Sequence, residues 1–414
     1  MKEPKIRFNE FKGEWKEVTL GEIAPLIGGY AFQSANFEKT GIPIVRISNI
    51  LDSGIVGGDF AKYKCFEGDI LFRLYDGDTV IAMSGATTGK VAVVKTQTFL
   101  YQNQRVGKFS RTDKIYYPFV SIFVSSKKFT KELNKKLTAS AQPNASSKDI
   151  DSVRLSFPSS KDEQQKIASF FTTLDAQISA STSRLASLKQ IKAASLQAMF
   201  PQEGETVPKL RFKGFEGEWE KVKLGDVGIF KSNGVDKTIN NNEKVVNLLN
   251  YLDVYNARLV TKNNCHQLMH VSASDRQIKE CDIQMNDVFF TPSSETAEDI
   301  GHVLVIKDTL PNTCYSYHLM RYRPNKGVFY DEFPNYGFAT EFVRSQMRLL
   351  AKGVQRYVIG KSEFESVAVL IPSFTEQRAI ASFFANLDRQ ITLQSQRLEK
   401  LKQIKEACLD KMFV

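Results

Sequence analysis

The sequence predicts an α+β protein in which two similar mixed α/β domains are joined by two long antiparallel helices, with an internal pseudo-two-fold repeat. Three observations predict this fold: one sequence frame occurs twice, each copy ends in a heptad-patterned segment, and the interiors hold short apolar runs between Gly, Asp and Ser turns. We place the first domain at 1–160, the first long helix at 161–203, the second domain at 204–373 and the second helix at 374–414.

The repeat is clearest at the two ends of each copy. Residues 4–24 read PKIRFNEFKGEWKEVTLGEIA and residues 208–228 read PKLRFKGFEGEWEKVKLGDVG, which places the two tryptophans of the chain in register. A second matched pair is EQQKIASFFTTLDAQI at 163–178 and EQRAIASFFANLDRQI at 376–391. The interiors between these segments diverge. Two copies folded alike are expected to dock about a pseudo-two-fold axis and to present two similar but unequal surfaces.

The second matched segment opens a long helix in each copy. No Pro or Gly interrupts residues 161–200 before Pro201, and the apolar residues alternate in steps of three and four, as in a coiled coil. We expect the two helices to pack on each other, antiparallel, because a lone amphipathic helix would leave its stripe exposed. The alternative is that each helix folds back on its own domain. The predicted helix or subunit interface comprises Ile167, Phe171, Leu174, Ile178, Leu185, Leu188, Ile380, Phe384, Leu387, Ile391, Leu398 and Leu401.

The domain interiors favour strands. Apolar and β-branched runs predict strands at 42–47, 69–72, 91–94, 288–290 and 302–306. Each domain then has about 150 residues, an ordinary size for one core. Polar loops between such strands are where binding residues are expected.

Composition limits the partners and the compartment. The formal charge of +10 suits a polyanionic partner such as nucleic acid. The five scattered cysteines read as reduced thiols, no apolar run approaches the roughly 20 residues that span a bilayer, and the first residues lack the apolar core of a secretion signal. We therefore expect a cytoplasmic protein with no membrane partner.

No motif for catalysis, nucleotide or metal is complete. The segment 85–90 approaches a phosphate-binding loop, but Ser84 replaces its first glycine and Val91 its hydroxyl residue. No adenine-methyltransferase motif occurs, so the sequence predicts neither catalytic nor metal-binding residues, although a duplicated enzyme with unfamiliar motifs stays open. Zinc-ligand types occur only at irregular spacing, at Cys265, His266, His270 and Cys281.

Four features together resemble the specificity subunits of type I restriction–modification systems, over essentially the whole chain. They are the P-K-[IL]-R-F-x-x-F-x-G-E-W opening of each copy, GDTVIAMSGATTGK at 77–90, QNQR at 102–105, and the E-Q entrances to the long helices. The resemblance implies two target-recognition domains, each reading one half of a bipartite DNA site, on two conserved antiparallel helices. It also implies a chain that performs no catalysis itself.

The resemblance further implies the partners. These are double-stranded DNA, two methyltransferase subunits and two restriction subunits that act as motor and nuclease. S-adenosylmethionine, ATP and magnesium would belong to those subunits, with no cofactor in this chain. The alternative is a duplicated coiled-coil scaffold protein without DNA specificity.

Candidate DNA-contacting residues are polar residues in turn-like segments or in segments that match the family. Aligning the copies pairs Gln355 and Lys361 with Gln142 and Lys148, which makes 353–361 a predicted DNA-facing loop. For each residue the alternative is an ordinary solvated side chain. The predicted set is Arg46, Asn49, Thr87, Thr88, Lys90, Asn103, Arg105, Gln142, Asn144, Lys148, Gln355, Arg356 and Lys361.

Overall fold

The computed structural model describes residues 3–137 and 144–413 and divides into two compact units. The first unit holds the chain up to Thr182 and again from Gln396 onward, and the second unit holds Ser183–Ser395. Each unit therefore combines most of one repeat with the far end of the other repeat's long helix. Within the described residues, no helix is both long and apolar enough to cross a membrane.

The first unit is built around two four-stranded sheets, with strand orders β2-β9-β6-β7 and β4-β3-β8-β5, and an antiparallel pair β1-β10. The β3-β8 pairing is parallel and the other ladders are antiparallel. The elements in chain order are β1 (Lys16–Thr19), α1 (Leu20–Ile23), β2 (Leu26–Gly28), β3 (Ile42–Val45), β4 (Ala61–Tyr63), β5 (Arg73–Leu74), β6 (Thr79–Ala82), β7 (Val91–Val93), β8 (Leu100–Gln102), β9 (Val106–Phe109), α2 (Tyr117–Val124), α3 (Lys127–Leu137), α4 (Ser147–Asp151), β10 (Arg154–Phe157) and the long helix α5 (Lys161–Ala198).

The second unit repeats this plan, with sheets β12-β19-β15-β17 and β14-β13-β18, an antiparallel pair β11-β21 and a short pair β16-β20. Its elements are β11 (Glu220–Lys223), β12 (Gly228–Lys231), β13 (Lys244–Leu249), α6 (Tyr251–Tyr255), β14 (Met269–Ala273), α7 (Asp275–Glu280), β15 (Val288–Phe290), β16 (Ser293–Ser294), β17 (Val303–Val305), β18 (Thr313–Tyr315), β19 (Met320–Pro324), α8 (Phe333–Gly337), α9 (Glu341–Leu350), β20 (Tyr357–Val358), α10 (Lys361–Ser366), β21 (Ala368–Ile371) and the long helix α11 (Phe374–Lys411).

Most predicted strands are present, and one was wrong. The runs at 91–94, 288–290 and 302–306 supply β7, β15 and β17, and the run at 42–47 is a strand only as far as Val45. Residues 69–72 form a 3-10 turn instead of a strand. Gly68, in the left-handed region at φ +78°, starts this turn, and ladder pairing begins only at Arg73.

The long helices run antiparallel within each unit. In the first unit, Asp175 on α5 pairs with Lys405 on α11 (2.5 Å), and in the second, Lys192 on α5 pairs with Asp388 on α11 (2.5 Å). The predicted interface positions that are buried are Ile167, Phe171, Leu174, Ile380, Phe384, Leu387 and Leu398. Those that are half-buried are Ile178, Leu185, Leu188, Ile391 and Leu401.

A buried ion pair explains why the opening motif and the helix entrance recur together. Arg7 donates Nε and Nη2 to the two carboxylate oxygens of Glu163, at 2.7 and 2.8 Å, and Glu163 is 2% exposed. In the second copy, Arg211 makes the same fork with Glu376 at 2.6 and 2.7 Å. Two parallel charge-assisted hydrogen bonds fix both distance and orientation. Each fork therefore pins the start of a domain to the start of its long helix.

The neighbouring glutamine makes a second clamp. Gln164 accepts a hydrogen bond from the Tyr116 amide at 2.7 Å and donates one to the Pro158 carbonyl at 2.8 Å. Gln377 accepts in the same way from the Tyr330 amide at 2.8 Å. These hydrogen bonds are buried or partly buried, where backbone groups need partners, so the glutamine stabilises the helix entrance.

A phenylalanine from the far end of a long helix completes each core. Phe413, just beyond α11, lies among the rings of Trp15, Phe119, Phe123 and Phe171, with centroid distances of 5.5 to 6.4 Å. The end of α5 supplies the equivalent residue of the second unit: Phe200 contacts Trp219, Phe333 and Phe384 at 5.7 to 6.1 Å.

Replacing Phe413 by alanine should destabilise the first unit by about 3–5 kcal/mol, the usual cost of removing a buried aromatic ring. The free energy of unfolding should be followed by the fluorescence of Trp15 in a Trp219→Phe background. Tyr75→Ala is the matched control, because this aromatic side chain lies in the same unit and is 45% exposed. Equal effects of the two substitutions would contradict the assignment of Phe413 to the core.

Candidate nucleic-acid interface

In the first unit, the main chain of Met83 connects two of the predicted DNA-contacting segments. Its N–H donates to the Arg105 carbonyl at 2.9 Å, and its carbonyl accepts from the Ala145 N–H at 2.8 Å. Asn144 and Lys148 flank Ala145, and both side chains are exposed, as is Arg105. The structure therefore brings Arg105, Asn144 and Lys148 to one end of the β6 sheet.

The third segment joins them from the parallel pair of the other sheet. The Asn103 N–H donates to the Val45 carbonyl at 3.1 Å, which places Asn103 beside Arg46 where β3 and β8 end. A side chain at Gly85 would lie 3.5 Å from Ile47, so the 84–90 turn borders the same segment. Four loops thus meet at the carboxyl ends of β3, β6 and β8.

The 84–90 segment is a 3-10 turn between antiparallel strands, unlike the strand, loop and helix of a phosphate-binding loop. The Thr87 hydroxyl is buried without a hydrogen-bond partner among the described residues, while Thr88 donates to the Gly85 carbonyl at 2.7 Å. Lys90 Nζ lies 2.6 Å from Asp52 Oδ1. Asp52 is exposed, so water screens this ion pair. Of these groups, the Lys90 amine suits a phosphate contact.

Two predicted residues are placed differently. Asn49 is 1% exposed, and its amide donates to the Gly57 and Asp59 carbonyls at 3.0 and 2.9 Å while its oxygen accepts from the Arg46 N–H. It organises the loop that carries Arg46, so we leave it out of the proposed contact set. Gln142 lies outside the described residues.

In the second unit, the same backbone frame presents different side chains. The Ser316 N–H donates to the Leu249 carbonyl at 2.9 Å, which repeats the Asn103 to Val45 bond. Asn250 therefore occupies the position of Arg46, and His318 that of Arg105. Neither residue was predicted from the sequence, because the interiors of the copies do not align without the strand register.

His318 lies in a basic environment. Its ring packs on Tyr317 with centroids 4.0 Å apart, and burial lowers the pKa of His318, helped by the positive charges of Lys237 and Arg356. The ring is therefore neutral near pH 7, with one nitrogen to donate and one to accept a hydrogen bond.

An aromatic row continues this surface. Tyr251 stacks on Tyr255 at 5.9 Å, and the Tyr255 ring lies 4.4 Å from that of His302. The hydrogen bond between His302 Nε2 and Asp299 Oδ1 (2.9 Å) lowers the pKa of Asp299, and the Tyr255 hydroxyl adds to this shift. An ionised carboxylate among rings can accept from a base amino group.

The loop predicted at 353–361 is a short hairpin followed by α10. Lys352 and Val358 exchange backbone hydrogen bonds at 3.0 and 2.9 Å, and Gln355 and Arg356 are exposed at its tip. Arg356 donates to the Ser293 hydroxyl at 3.1 Å, beside the Ser293 carbonyl that accepts from Tyr251. The hairpin thus lies against the aromatic row.

The backbone register changes the pairing of Lys361. Val153 and Val367 accept the same hydrogen bond, from Leu20 and Leu224 respectively, and counting back from them pairs Lys361 with Ser147 instead of Lys148. Lys361 is exposed, with Nζ 3.5 Å from Glu365. It remains at the hairpin base but without a counterpart lysine.

The two cysteines that are of zinc-ligand type but irregularly spaced lie inside the second unit. Cys265 and Cys281 are both buried, and the Cys281 thiol donates to the Asn233 carbonyl at 2.6 Å. In the part of the chain described by the structure, no group of three or more His, Cys, Asp or Glu residues could hold a metal ion.

The family model of the type I restriction modification DNA specificity domain matches residues 12–190 and again 216–403. The chain belongs to this family. The specificity subunit is 20% identical to the type I restriction enzyme EcoBI specificity subunit of Escherichia coli, over 96% of this chain and 85% of that one. It is 21% identical to the putative type I restriction enzyme MjaX specificity subunit of Methanocaldococcus jannaschii, over 98% and 94%.

Solved structures share the fold of this specificity subunit. The S subunit of a type I restriction-modification system from M. genitalium matches 100% of this chain and 99% of its own, with a TM-score of 0.60 and 13% identity. A chain from a study of complex assembly and conformational transition of the type I R-M system matches with a TM-score of 0.54 and 16% identity, over 96% and 97%. The predicted fold class is thereby confirmed.

Gly353→Ala should open the hairpin that carries Arg356. Gly353 has φ +146°, and a Cβ there would lie 1.9 Å from the Arg356 carbonyl oxygen, so the loop must rearrange at a cost of about 1–3 kcal/mol. Hydrogen exchange of a peptide spanning 350–360 should become faster. Gly327→Ala is the control, because Gly327 also has positive φ but no neighbour within 4 Å. Unchanged protection at 352–358 would contradict this geometry.

Proposed function

We propose that this specificity subunit recognises a bipartite, asymmetric double-stranded DNA site, with one half-site contacted by each domain. The observation that carries the proposal is a shared frame with different side chains. Arg46 and Arg105 stand at the strand ends of the first unit, while Asn250 and His318 stand at the equivalent positions of the second. Ser316, at the position of Asn103, is buried. Surfaces alike in shape and unlike in hydrogen-bonding groups suit two half-sites of different sequence.

Within the first domain, we assign base-edge contacts to Arg46, Asn103, Arg105 and Asn144. Arginine and asparagine form paired hydrogen bonds with guanine and adenine in the major groove. Lys90 and Lys148 have amine groups that suit the phosphate backbone, which fixes position without reading sequence, and Thr87 and Thr88 stay in this set as predictions. Gln142 stays in this set as a prediction.

Within the second domain, we assign base contacts to Gln355, Arg356 and His318, with Lys361 near the backbone. The row of Tyr251 and Tyr255 adds apolar faces beside these donors. The chemistry differs from that of the first domain in having fewer cations and more rings. We therefore expect the second half-site to be bound with a weaker dependence on salt.

We further propose that the subunit positions two methyltransferase and two restriction subunits on this site. Support comes from its relatives, which are specificity subunits of type I restriction enzymes, and from one structural neighbour, which was studied for complex assembly of the type I R-M system. S-adenosylmethionine, ATP and magnesium would be held by those partners. A target adenine must leave the base stack to be methylated, so this chain would fix which base each methyltransferase meets.

Exchange of one domain should change one half of the recognised sequence. The subunit should be co-expressed with its methyltransferase partner and the methylated adenines mapped by single-molecule sequencing of host DNA. Replacing residues 15–157 by those of a relative should alter one half-site and leave the other unchanged, since each half is read locally. A well-formed complex that yields no two-part motif would overturn the proposed function.

Truncation of single arginines should weaken recognition half by half. Arg105→Ala and Arg356→Ala should each cost about 1–3 kcal/mol of specific binding, the usual contribution of a good base contact. Competition binding with duplexes altered in either half measures this loss in the methyltransferase complex. Lys39→Ala is the control, because this exposed lysine lies before β3 while Arg46 lies after it. An equal loss of binding affinity in the control would mean that the arginines act only through the overall charge of the protein.

A further inference from the structure

Two exposed apolar side chains stand on the 3-10 turn Asp69–Phe72 of the first unit. Ile70 is 65% exposed and Leu71 is 68% exposed, more than any other large apolar side chain described in this unit. Adjacent aliphatic side chains held in water forgo the free energy of burial and together form a small apolar patch.

The residues on either side of this pair are firmly anchored. Asp69 is buried, accepts a hydrogen bond from the Tyr101 hydroxyl, and pairs with Arg73 at 2.7 Å. Phe72 packs on Tyr30 with ring centroids 5.1 Å apart. The turn is therefore preorganised, and it projects Ile70 and Leu71 from a fixed base.

The turn lies at the end of the sheet where the proposed DNA contacts meet. Strand β5 starts at Arg73 and runs antiparallel to β8, so the residues before Arg73 lie beside the end of β8, which Asn103 follows. Tyr30 links the two segments, because its carbonyl accepts from the Gln104 N–H at 2.9 Å while its ring contacts Phe72. The apolar pair thus neighbours the loop of Asn103 and Arg105.

The second unit has no such pair in the corresponding connection. There the chain leaves β14 through the helix Asp275–Glu280, whose exposed residues are charged. Arg276 and Glu280 pair with each other at 2.9 Å on its surface. The apolar turn is consequently a property of one domain.

We propose that Ile70 and Leu71 form an apolar wedge that inserts at one base step of the half-site contacted by the first domain and partly unstacks it. This inference rests on the proposed function. Apolar side chains that enter DNA beside phosphate-binding cations offset the cost of unstacking through the extra contacts that a kinked duplex allows. Pyrimidine–purine steps unstack most easily, so the wedge would select sequence through deformability.

The test uses the complex with the methyltransferase subunits and duplexes that carry 2-aminopurine at one position at a time through the first half-site. The unmodified complex should raise the fluorescence at one step other than the methylated adenine. The double variant Ile70→Ser, Leu71→Ser should abolish this rise and weaken binding about tenfold, the order of one mismatched base pair. Both side chains are exposed, so the fold should persist. Ile6→Ser is the control, since Ile6 is 42% exposed on the opening segment.

The other outcomes separate the wedge from the proposed function. If the complex methylates a two-part site but no step of the first half-site becomes fluorescent, the wedge is wrong and the function stands. Weaker binding of the variant with the fluorescence rise retained would make the pair a surface contact and overturn insertion. Loss of methyltransferase assembly in the variant would identify a protein contact instead. No sequence-specific binding by the unmodified complex would overturn both.

Discussion

Each unit of this protein depends on an aromatic residue that arrives from the far end of a 38-residue helix. Phe413 fills the space between Trp15 and Phe171, and Phe200 fills the space between Trp219 and Phe384. A buried ring is tightly packed on all sides, so a helix cannot slide along its axis without opening a core. The length of the helix is therefore constrained at both ends, although most of its surface is exposed.

The two bidentate Arg–Glu ion pairs at the helix entrances hold the opening segment of each copy in place. Burying Glu163 and Glu376 costs solvation, and the bidentate arginine offsets that cost only if the opening segment keeps its position. Hydrogen bonds from Arg7 to the Gly13 carbonyl and from Arg211 to the Gly217 carbonyl fold that segment around the guanidinium. Because both ends of each copy are held in this way, the loops at the strand ends can change sequence with little effect on the core. This is the physical reason that the two copies share their frames and differ in their interiors.

The repeat, the long helices and most strands could be predicted from sequence because each is a local or periodic pattern. The role of the opening motif could not, since Arg7 and Glu163 are 156 residues apart. The strand predicted at 69–72 was wrong because two of its apolar residues, Ile70 and Leu71, are exposed on a turn. Hydrophobic periodicity does not reveal such an arrangement. The burial of Asn49 could not be predicted either, because polarity does not distinguish a loop-organising amide from a displayed one.

Each unit contains the end of the other repeat's long helix, and this arrangement suggests an evolutionary origin for the chain. One repeat encodes a pocket and, at its far end, the aromatic residue that fills the pocket of the other repeat. A gene for a single repeat would thus yield a product whose core closes only when two identical copies exchange ends, as in domain swapping. Fusing two copies of that gene replaces an association that depends on concentration by a covalent one. From then on, each half can acquire its own mutations, which two identical copies never can.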